Sequence, residues 1–381
     1  MNAQVKTLEQ QLQTWRRELH QHPELSGNEH QTTKRIQAWL AEHGIESHAQ
    51  GLKTGLVVEI GQGQTVVALR ADIDALPIVE QTEQSFASQE HGVMHACGHD
   101  LHTAVILGAT LLLKQRETEL QGRVRIVFQP AEETYSGAHE VLELGILDGV
   151  SAIFGMHNEP NLPVGTFATR QGAFYANVDK FNITVKGKGA HAGRPHEGHD
   201  AIYIASQLVN AVQSIPSRVV DNLETCIVSV TQLHAGNTWN VLPERAELEG
   251  TARTHSAAAR LQVEQHFKQI AQGLGLAHGA EIKVTWQQGP AAVINSADWA
   301  DFASQVAEQQ GYKVIQAALH LGGEDFAAYL DKISGAFVSI GSGSPFGLHH
   351  PQFEPDDRLI FPAAQYFAVL AQAALQQLHT S

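Results

Sequence analysis

The sequence predicts an α/β protein whose main domain is interrupted by a smaller one. Three observations lead to this fold class. Strand-like and helix-like segments alternate over residues 1–178, which is typical of an α/β sheet. Over residues 179–291 the order becomes βαββαβ, the split-βαβ arrangement of ferredoxin-like domains. The α/β pattern then resumes over residues 292–381. We therefore expect one domain built from both chain ends, with a ferredoxin-like domain inserted into it.

The elements of the first part follow from apolar periodicity and from chain breakers. The first helix stops before Pro23, because proline lacks the backbone donor that a helix needs, and the second ends at Gly44. The predicted elements, in order, are helices over 8–20 and 29–42, two strands within 52–77 joined by a tight Gly-Gln-Gly turn, a helix over 101–116, a strand over 123–128, a short helix over 137–144 and a strand over 151–156.

The inserted part begins with a strand in which Phe181, Ile183 and Val185 alternate with polar residues, a pattern typical of a half-buried strand. The further predicted elements of the inserted part are a helix over 201–215, strands over 225–233 and 244–252, a helix after Thr254 and a strand around 282–286. The elements predicted for residues 292–381 are a helix over 298–310, strands over 313–318 and 336–340, and a final amphipathic helix after Phe361.

Composition limits the possible functions. Apolar residues make up 43% and charged residues 17%, which is ordinary for a globular protein and excludes intrinsic disorder. The net charge of −15 argues against nucleic acid or an anionic membrane as a partner. The longest near-continuous apolar stretch, residues 104–113, is too short to cross a bilayer. The N-terminus has no apolar signal core, and two cysteines allow at most one disulfide, so we predict a cytoplasmic protein.

Candidate chemistry lies where predicted strands end. In open α/β sheets, sites collect at the carboxyl ends of strands. Thiolate, imidazole and carboxylate together suit zinc, with cobalt, nickel or manganese also possible. Each motif alone is more often structural than functional, but their joint placement after successive strands favours a metal site. The residues at these places are Cys97 and His99 in a glycine-containing loop, Glu132 and Glu133, His157, and the pair His349 and His350.

The adjacent carboxylates of Glu132 and Glu133 are the most informative pair. Neighbouring residues in extended chain point in different directions. One carboxylate can therefore bind a metal while the other accepts a proton from the attacking water and returns it to a leaving amine. This division of roles predicts metal-dependent hydrolysis.

Eight strings in fixed order resemble a known family: RADIDALP, MHACGHDLHT, FQPAEE, GMHNEP, KGKGAHAGRPHEGHDAI, NVLPERAELEGTART, GGEDF and LHHPQF. It is the dinuclear metal amidohydrolase and carboxypeptidase family, which includes aminoacylases, hippurate hydrolases, N-acetyldiaminopimelate deacetylases and plant auxin-conjugate hydrolases. The resemblance covers about residues 17–361. It is greatest to the branch with cysteine in the metal motif. The resemblance implies a mixed-sheet dinuclear metallohydrolase domain and a lid and dimerisation domain over residues 179–291.

The resemblance also implies two divalent metal ions per subunit, zinc, manganese, cobalt or nickel. Cys97 matches the bridging ligand, and Glu132 matches the general base that later acts as general acid. His349 is preferred over His350 because the family pattern is Leu-His-x-Pro. The remaining matched ligands are His99, Glu133, His157 and His349.

The string Asp72-Ile73-Asp74 departs from the family pattern, which has His-x-Asp there. Asp74 matches the aspartate and is predicted to orient a ligand, although a loop acid paired with Arg70 or with backbone would look the same. Asp72 stands where the family has a ligand histidine, so its role stays open.

Residues of the inserted domain complete the site implied by the resemblance. His191 matches a histidine that binds the scissile carbonyl, often across a dimer, whereas Asn240 and Arg253 match residues that bind the substrate carboxylate. The implied function is hydrolysis of N-acyl amino acids, with small acyl groups such as acetyl favoured, by a homodimer or dimer-based oligomer. The alternatives are a dipeptidase or carboxypeptidase, a non-catalytic binding protein and, less favoured, metal storage.

Overall fold

The computed structural model describes residues 3–380, with side chains from Thr7 onward. The chain forms two compact units. Unit 1 runs up to Gly172 and continues over Ile294–Ala318 and from Asp325 onward, whereas unit 2 comprises Ala173–Val293 and Leu319–Glu324. The predicted domain boundaries, and the role of residues 179–291 as a lid and dimerisation domain, stay predictions.

The helices of the described chain are α1 (Ala3–Gln21), α2 (His30–Glu42), α3 (His99–Gln115), α4 (Gly137–Glu143), α5 (Ala201–Val212), α6 (Ser214–Arg218), α7 (Ala257–His278), α8 (Ala297–Gln309), α9 (Ala327–Leu330) and α10 (Ile360–Thr380). The strands are β1 (Ser47–His48), β2 (Leu56–Gly61), β3 (Val66–Asp72), β4 (Arg123–Gln129), β5 (Val150–Glu159), β6 (Thr166–Thr169), β7 (Gly172–Ala173), β8 (Asn177–Lys186), β9 (Ala190–His191), β10 (Cys226–Ala235), β11 (Val241–Leu242), β12 (Arg245–Thr254), β13 (Glu281–Gln288), β14 (Ile294–Asn295), β15 (Lys313–Gln316) and β16 (Gly335–Gly341).

Unit 1 is built on a mixed sheet with strand order β1-β2-β4-β3-β5-β16-β6-β15. Strands β4, β3, β5 and β16 are parallel neighbours, whereas β2 is antiparallel to β4 and β6 to β16. All seven residues of β3 are buried, as expected for a parallel strand covered on both faces. Unit 1 therefore has the predicted α/β fold with a mixed sheet.

The two strands predicted around the Gly-Gln-Gly turn exist, but they do not pair with each other. Strand β4 lies between β2 and β3, and Arg123 N at its start donates to Thr65 O at 2.9 Å. The connection can arch over the end of β4 because glycines allow close backbone approach. A Cβ on Gly61, at φ 93°, would lie 2.4 Å from Gly122 O. The four-residue strand β6 was not predicted.

Helix α10 packs in the core of unit 1. By length and composition alone, Asp357–Thr380 could cross a membrane, although no apolar run in the sequence suggested it. In the folded chain 67% of its apolar window is buried. Leu370 and Leu375 are fully buried in one cluster with Leu101 and Val105 of α3. This burial is that of a core helix.

Unit 2 contains the predicted βαββαβ order, formed by β8, α5, β10, β12, α7 and β13. Its antiparallel sheet has the order β10-β12-β8-β13, so β10 and β13 are edge strands. Asp200 and Ser256 cap the first turns of α5 and α7. The two ends of the insertion meet, because Phe174 N donates to Val293 O at 2.8 Å.

Candidate metal centre

The segment that carries Cys97 and His99 turns at a position that strongly favours glycine. Gly98 has φ 86° and precedes the first residue of α3, His99. A Cβ at this position would lie 2.4 Å from Asn158 Nδ2. The left-handed conformation turns the chain sharply between Cys97 and His99. Both side chains thereby reach the carboxyl ends of the central strands.

The structure brings all five matched ligand residues together in unit 1. Cys97 Sγ lies 3.3 Å from His157 Nε2, and the donor atoms of Cys97, His99 and His157 lie within 4.8 Å of one another. The same limit encloses the donor atoms of Cys97, Glu133 and His349, where His349 Nε2 is 3.6 Å from Glu133 Oε1. Cys97 is thus the residue common to two neighbouring donor groups.

The hydrogen bonds of the histidines direct their Nε2 atoms into this cluster. His99 Nδ1–H donates to Asp74 O at 2.9 Å, and His157 Nδ1–H donates to Asn158 O at 2.8 Å. His99 Nε2 and Glu133 Oε1 are buried without a hydrogen-bond partner among the described residues. Buried polar atoms are rarely unsatisfied. The chemistry of these sulfur, nitrogen and oxygen donors fits a divalent cation.

Burial controls protonation at the cluster. Burial, reinforced by the neighbouring Glu133 carboxylate, raises the pKa of the Cys97 thiol well above its usual value. Burial also raises the pKa of Glu133 to about 7, and burial together with His102 keeps the pKa of His157 well below its usual value. His157 is therefore a neutral imidazole, as a metal ligand must be. Because the Cys97 thiol and the Glu133 carboxylic acid must lose their protons to bind a cation, binding at this cluster releases protons.

The two adjacent carboxylates differ in their surroundings. Glu133 faces the donor atoms of Cys97 and His349. Glu132 Oε1 accepts from Asp325 N at 3.4 Å, while its Oε2 lies 3.9 Å from His99 Nε2. Both carboxylates lie near His99, but only Glu133 also faces Cys97 and His349, whereas Glu132 is held by the backbone of Asp325.

Two buried carboxylates hold the turn that carries this pair. Ala131 adopts φ 54°, an unfavourable backbone for a residue with a Cβ. Its N–H donates to Glu29 Oε1 at 2.8 Å, and Glu133 N donates to Asp74 Oδ2 at 3.0 Å. Sequence analysis missed Glu29, which in the sequence is only an acid at a helix start. Its role emerges only when the chain has folded.

Asp74 lies where an orienting group is needed. Its carboxylate accepts from Ser26 Oγ at 2.7 Å and lies 3.2 Å from His99 Nδ1. Burial would raise the pKa of Asp74, but the hydrogen bond from His99 holds it below its usual value. One ionised carboxylate thus fixes both the His99 ring and the backbone of Glu133.

Asp72, whose role the sequence left open, is held by two partners. Arg70 Nη1 donates to its Oδ2 at 2.6 Å, and His102 Nδ1–H donates to its Oδ1 at 2.7 Å. The other ring nitrogen of His102 accepts from Asn158 N at 3.0 Å, so this ring is neutral and both of its nitrogens are hydrogen-bonded. Asp72 therefore supports the strands around the cluster, with Oδ2 3.9 Å from His99 Nε2.

The two histidines of LHHPQF point to different neighbours. His349 has φ 62° and its N–H donates to Ala96 O at 2.9 Å, which places its ring next to Glu133. The ring of His350 stacks on Phe346 with centroids 4.6 Å apart. The strained backbone of His349 is thus anchored to the segment that carries Cys97.

In unit 2, His191 and Asn240 lie side by side. Strand β9 pairs with β11 so that His191 opposes Val241, and Ala192 N donates to Asn240 O at 3.1 Å. Both His191 and Asn240 are exposed. These two matched residues therefore form one surface.

Arg253 lies at the other end of β12. Its Nε donates to Leu321 O at 3.2 Å. The Asn240 surface lies beyond Arg245, the residue at which β12 begins. Eight residue steps of about 3.3 Å separate Arg245 from Arg253, which is roughly 26 Å. Within unit 2, the structure does not bring Arg253 to His191 and Asn240.

Known proteins similar to this chain are hydrolases. The chain matches peptidase family M20/M25/M40 over residues 68–373. N-acetylcysteine deacetylase of Bacillus subtilis (strain 168) is 47% identical over 98% of this chain and 99% of that protein. Thermostable carboxypeptidase 1 of Saccharolobus solfataricus is 35% identical over 96% of each. A solved Bacillus subtilis structure, described as a dinuclear metal binding peptidase from the M20 family, has TM-score 0.89 and 45% identity, covering 97% of this chain and 99% of that one.

Proposed function

We propose that this chain, which belongs to peptidase family M20/M25/M40, is a metal-dependent hydrolase of N-acyl amino acids. Acetyl is the favoured acyl group, because a similar protein is an N-acetylcysteine deacetylase. The observation that carries this proposal is the pair Glu132–Glu133. One carboxylate faces Cys97 and His349 in a cluster of metal-binding donors, and the other is held beside it with Oε2 3.9 Å from His99 Nε2. The products are a carboxylate and a free amino acid.

The proposed metal centre would hold two divalent cations, and Cys97 contributes to both donor groups. His99 and His157 complete one donor group, and Glu133 and His349 complete the other. Cations bound there would polarise a carbonyl and lower the pKa of water. Zinc, manganese, cobalt and nickel all accept this mixture of donors.

Glu132 is the proposed general base and acid. It accepts a proton from the attacking water while the water oxygen bonds to the acyl carbon, and it returns the proton to the amide nitrogen as the carbon–nitrogen bond breaks. His191 is proposed to donate a hydrogen bond to the carbonyl oxygen, where negative charge develops. Asp74 keeps His99 and Glu133 in place throughout.

Arg253 and Asn240 are proposed to bind the free carboxylate next to the scissile amide. We therefore expect N-acetyl amino acid amides to lose at least ~10-fold in kcat/KM relative to the acids, since losing a hydrogen bond to a charged partner costs about 1.5–3 kcal/mol. Arg253→Ala should remove most of this discrimination without changing metal content. Arg245→Ala, which removes an exposed arginine from the same strand, is the matched control. Equal kcat/KM for acids and amides on the native enzyme would move the assignment to a general amidase.

The same measurement extends to a panel of N-acyl amino acids and dipeptides. Faster turnover of dipeptides would favour the second candidate, a dipeptidase or carboxypeptidase, which the 35% identity to thermostable carboxypeptidase 1 supports. A non-catalytic binding protein would turn over none of the panel. The intact Glu132–Glu133 pair weighs against it, because binding alone needs no base.

Both cysteines are free in the fold, which supports the proposed cytoplasmic location.

The proposed active form is a homodimer, or an oligomer built from dimers, in which each site receives His191 and Asn240 from the partner subunit. The separation of these residues from Arg253 along β12 supports this arrangement. The edge strand β10 supports it too, because its ten residues include no Asp, Glu, Lys, Arg or Pro to block pairing with another chain.

Subunit exchange tests the shared site. Glu132→Ala protein and His191→Ala protein should each be inactive, and mixing them under conditions of proven exchange should restore activity. One of the two sites in a mixed dimer then has both groups intact. Each mixed dimer should therefore approach half the activity of a native dimer. No recovery despite exchange would show that each site is self-contained.

A further inference from the structure

The GGEDF motif has no role in the proposed mechanism, although its aspartate contacts the general base. We propose that Asp325 is a positioning residue that fixes which oxygen of Glu132 faces the metal-binding cluster. This inference rests on the proposed function, in which Glu132 is the base. Asp325 is only 2% exposed and lies in unit 1.

Three donors surround the Asp325 carboxylate. Arg70 Nη2 donates to Oδ1 at 2.6 Å, and Gln129 Nε2 and Ala138 N donate to Oδ2 at 2.7 and 2.9 Å. No acceptor is among these partners. An asparagine amide would place its NH₂ group against at least one of them, so only a carboxylate satisfies all three.

Arg70 cannot move to compensate for a substitution of Asp325, because its guanidinium is also hydrogen-bonded to other residues. Nη1 donates to Asp72 at 2.6 Å and Nε to Gln129 Oε1 at 2.8 Å. Tyr329 OH donates to the same Gln129 oxygen at 2.7 Å. Since Arg70 belongs to β3 and Gln129 to β4, Asp325 is fixed to two adjacent strands of the central sheet.

These contacts set the geometry of the base. Gln129 begins the turn that leads to Glu132, and Ala138 lies in the first turn of α4 beyond it. The Asp325 carboxylate thus holds both flanks of the segment, while its own N–H donates to Glu132 Oε1. A carboxylate rotates easily about its last bond. The N–H engages one oxygen and leaves Oε2 directed to His99.

A buried ion pair in a protein core would show the same burial without any effect on catalysis. The two explanations differ in what Asp325→Asn should change. A positioning role predicts a fall in kcat of about 10- to 100-fold, because small displacements of a reacting group have effects of this size. It also predicts unchanged KM and unchanged metal content by elemental analysis, since Asp325 is not one of the five proposed ligands.

The decisive measurement is a double-mutant cycle with Glu132→Gln. If Asp325 acts through Glu132, adding Asp325→Asn to Glu132→Gln should not lower the residual kcat further. An equal loss in both backgrounds, a loss of metal or a rise in KM alone would overturn the proposal. Asp179→Asn is the matched control, because Asp179 is a buried partner of Arg260 in unit 2. It should lower thermal stability while leaving kcat intact, and a matching fall in kcat would also overturn the proposal.

Tyr329→Phe provides a milder variant if Asp325→Asn does not fold. It removes one hydrogen bond to Gln129 and should lower kcat by a few-fold. When it is added to Glu132→Gln, it should not lower the residual kcat further. An unchanged kcat for Tyr329→Phe would then count against positioning. Activity retained in Glu132→Gln alone would refute the proposed function itself. An inactive Glu132→Gln beside a fully active Asp325→Asn would refute only the positioning role.

Discussion

Replacing Glu132 by glutamine should lower kcat by roughly 10²–10⁴-fold, and by more if the residue transfers a proton in both steps. Glutamine has nearly the same shape and keeps the Oε1 acceptor for Asp325 N, but it cannot take a proton from water. The five proposed ligands, Cys97, His99, Glu133, His157 and His349, are untouched. The purified variant should therefore contain as much metal as the native enzyme and bind substrate with a similar KM.

Two other glutamates provide comparison variants for this test. Glu133→Gln should lose metal, because that carboxylate faces Cys97 and His349. Glu143→Gln, in the exposed last turn of α4, should change neither activity nor metal content. Near-native kcat for Glu132→Gln, measured with an N-acetyl amino acid, would show that the base is another residue.

Removing the metal should abolish turnover completely. Dialysis against a strong chelator should reduce activity to background, and added zinc, manganese, cobalt or nickel should restore part of it. The apo protein should also melt at a lower temperature, because a ligand that binds only the folded state stabilises it by mass action. Elemental analysis before and after dialysis measures the change directly.

The two cysteines make a matched pair for this experiment. Cys97→Ala should lose metal and activity together, since Cys97 contributes to both donor groups. Cys226→Ala, at a half-buried position in β10, should keep both. Full activity in protein shown to be metal-free would contradict the metal assignment.

Sequence periodicity located most helices and strands, and the polar residues that follow the predicted strands indicated the site. Sequence could not show that β4 lies between β2 and β3, because a short glycine-rich connection fits a hairpin equally well. Nor could it identify partners distant along the chain. Glu29 and Ala131 are 102 positions apart, and Arg70 and Asp325 are 255 apart. Such pairs bear no local pattern, so the contacts of Glu29 and Asp325 emerge only from the folded arrangement.

The hydrogen bond that joins the ends of the insertion, Phe174 N to Val293 O, has a consequence for folding order. Strand β16 must pair with β5, yet all of Ala173–Val293 lies between them in sequence. The entropy lost on closing a loop grows with the logarithm of its length. Once unit 2 has folded, its ends are already adjacent and the loop from β5 to β16 becomes much shorter. The insertion should therefore fold first and accelerate completion of the sheet into which it is inserted.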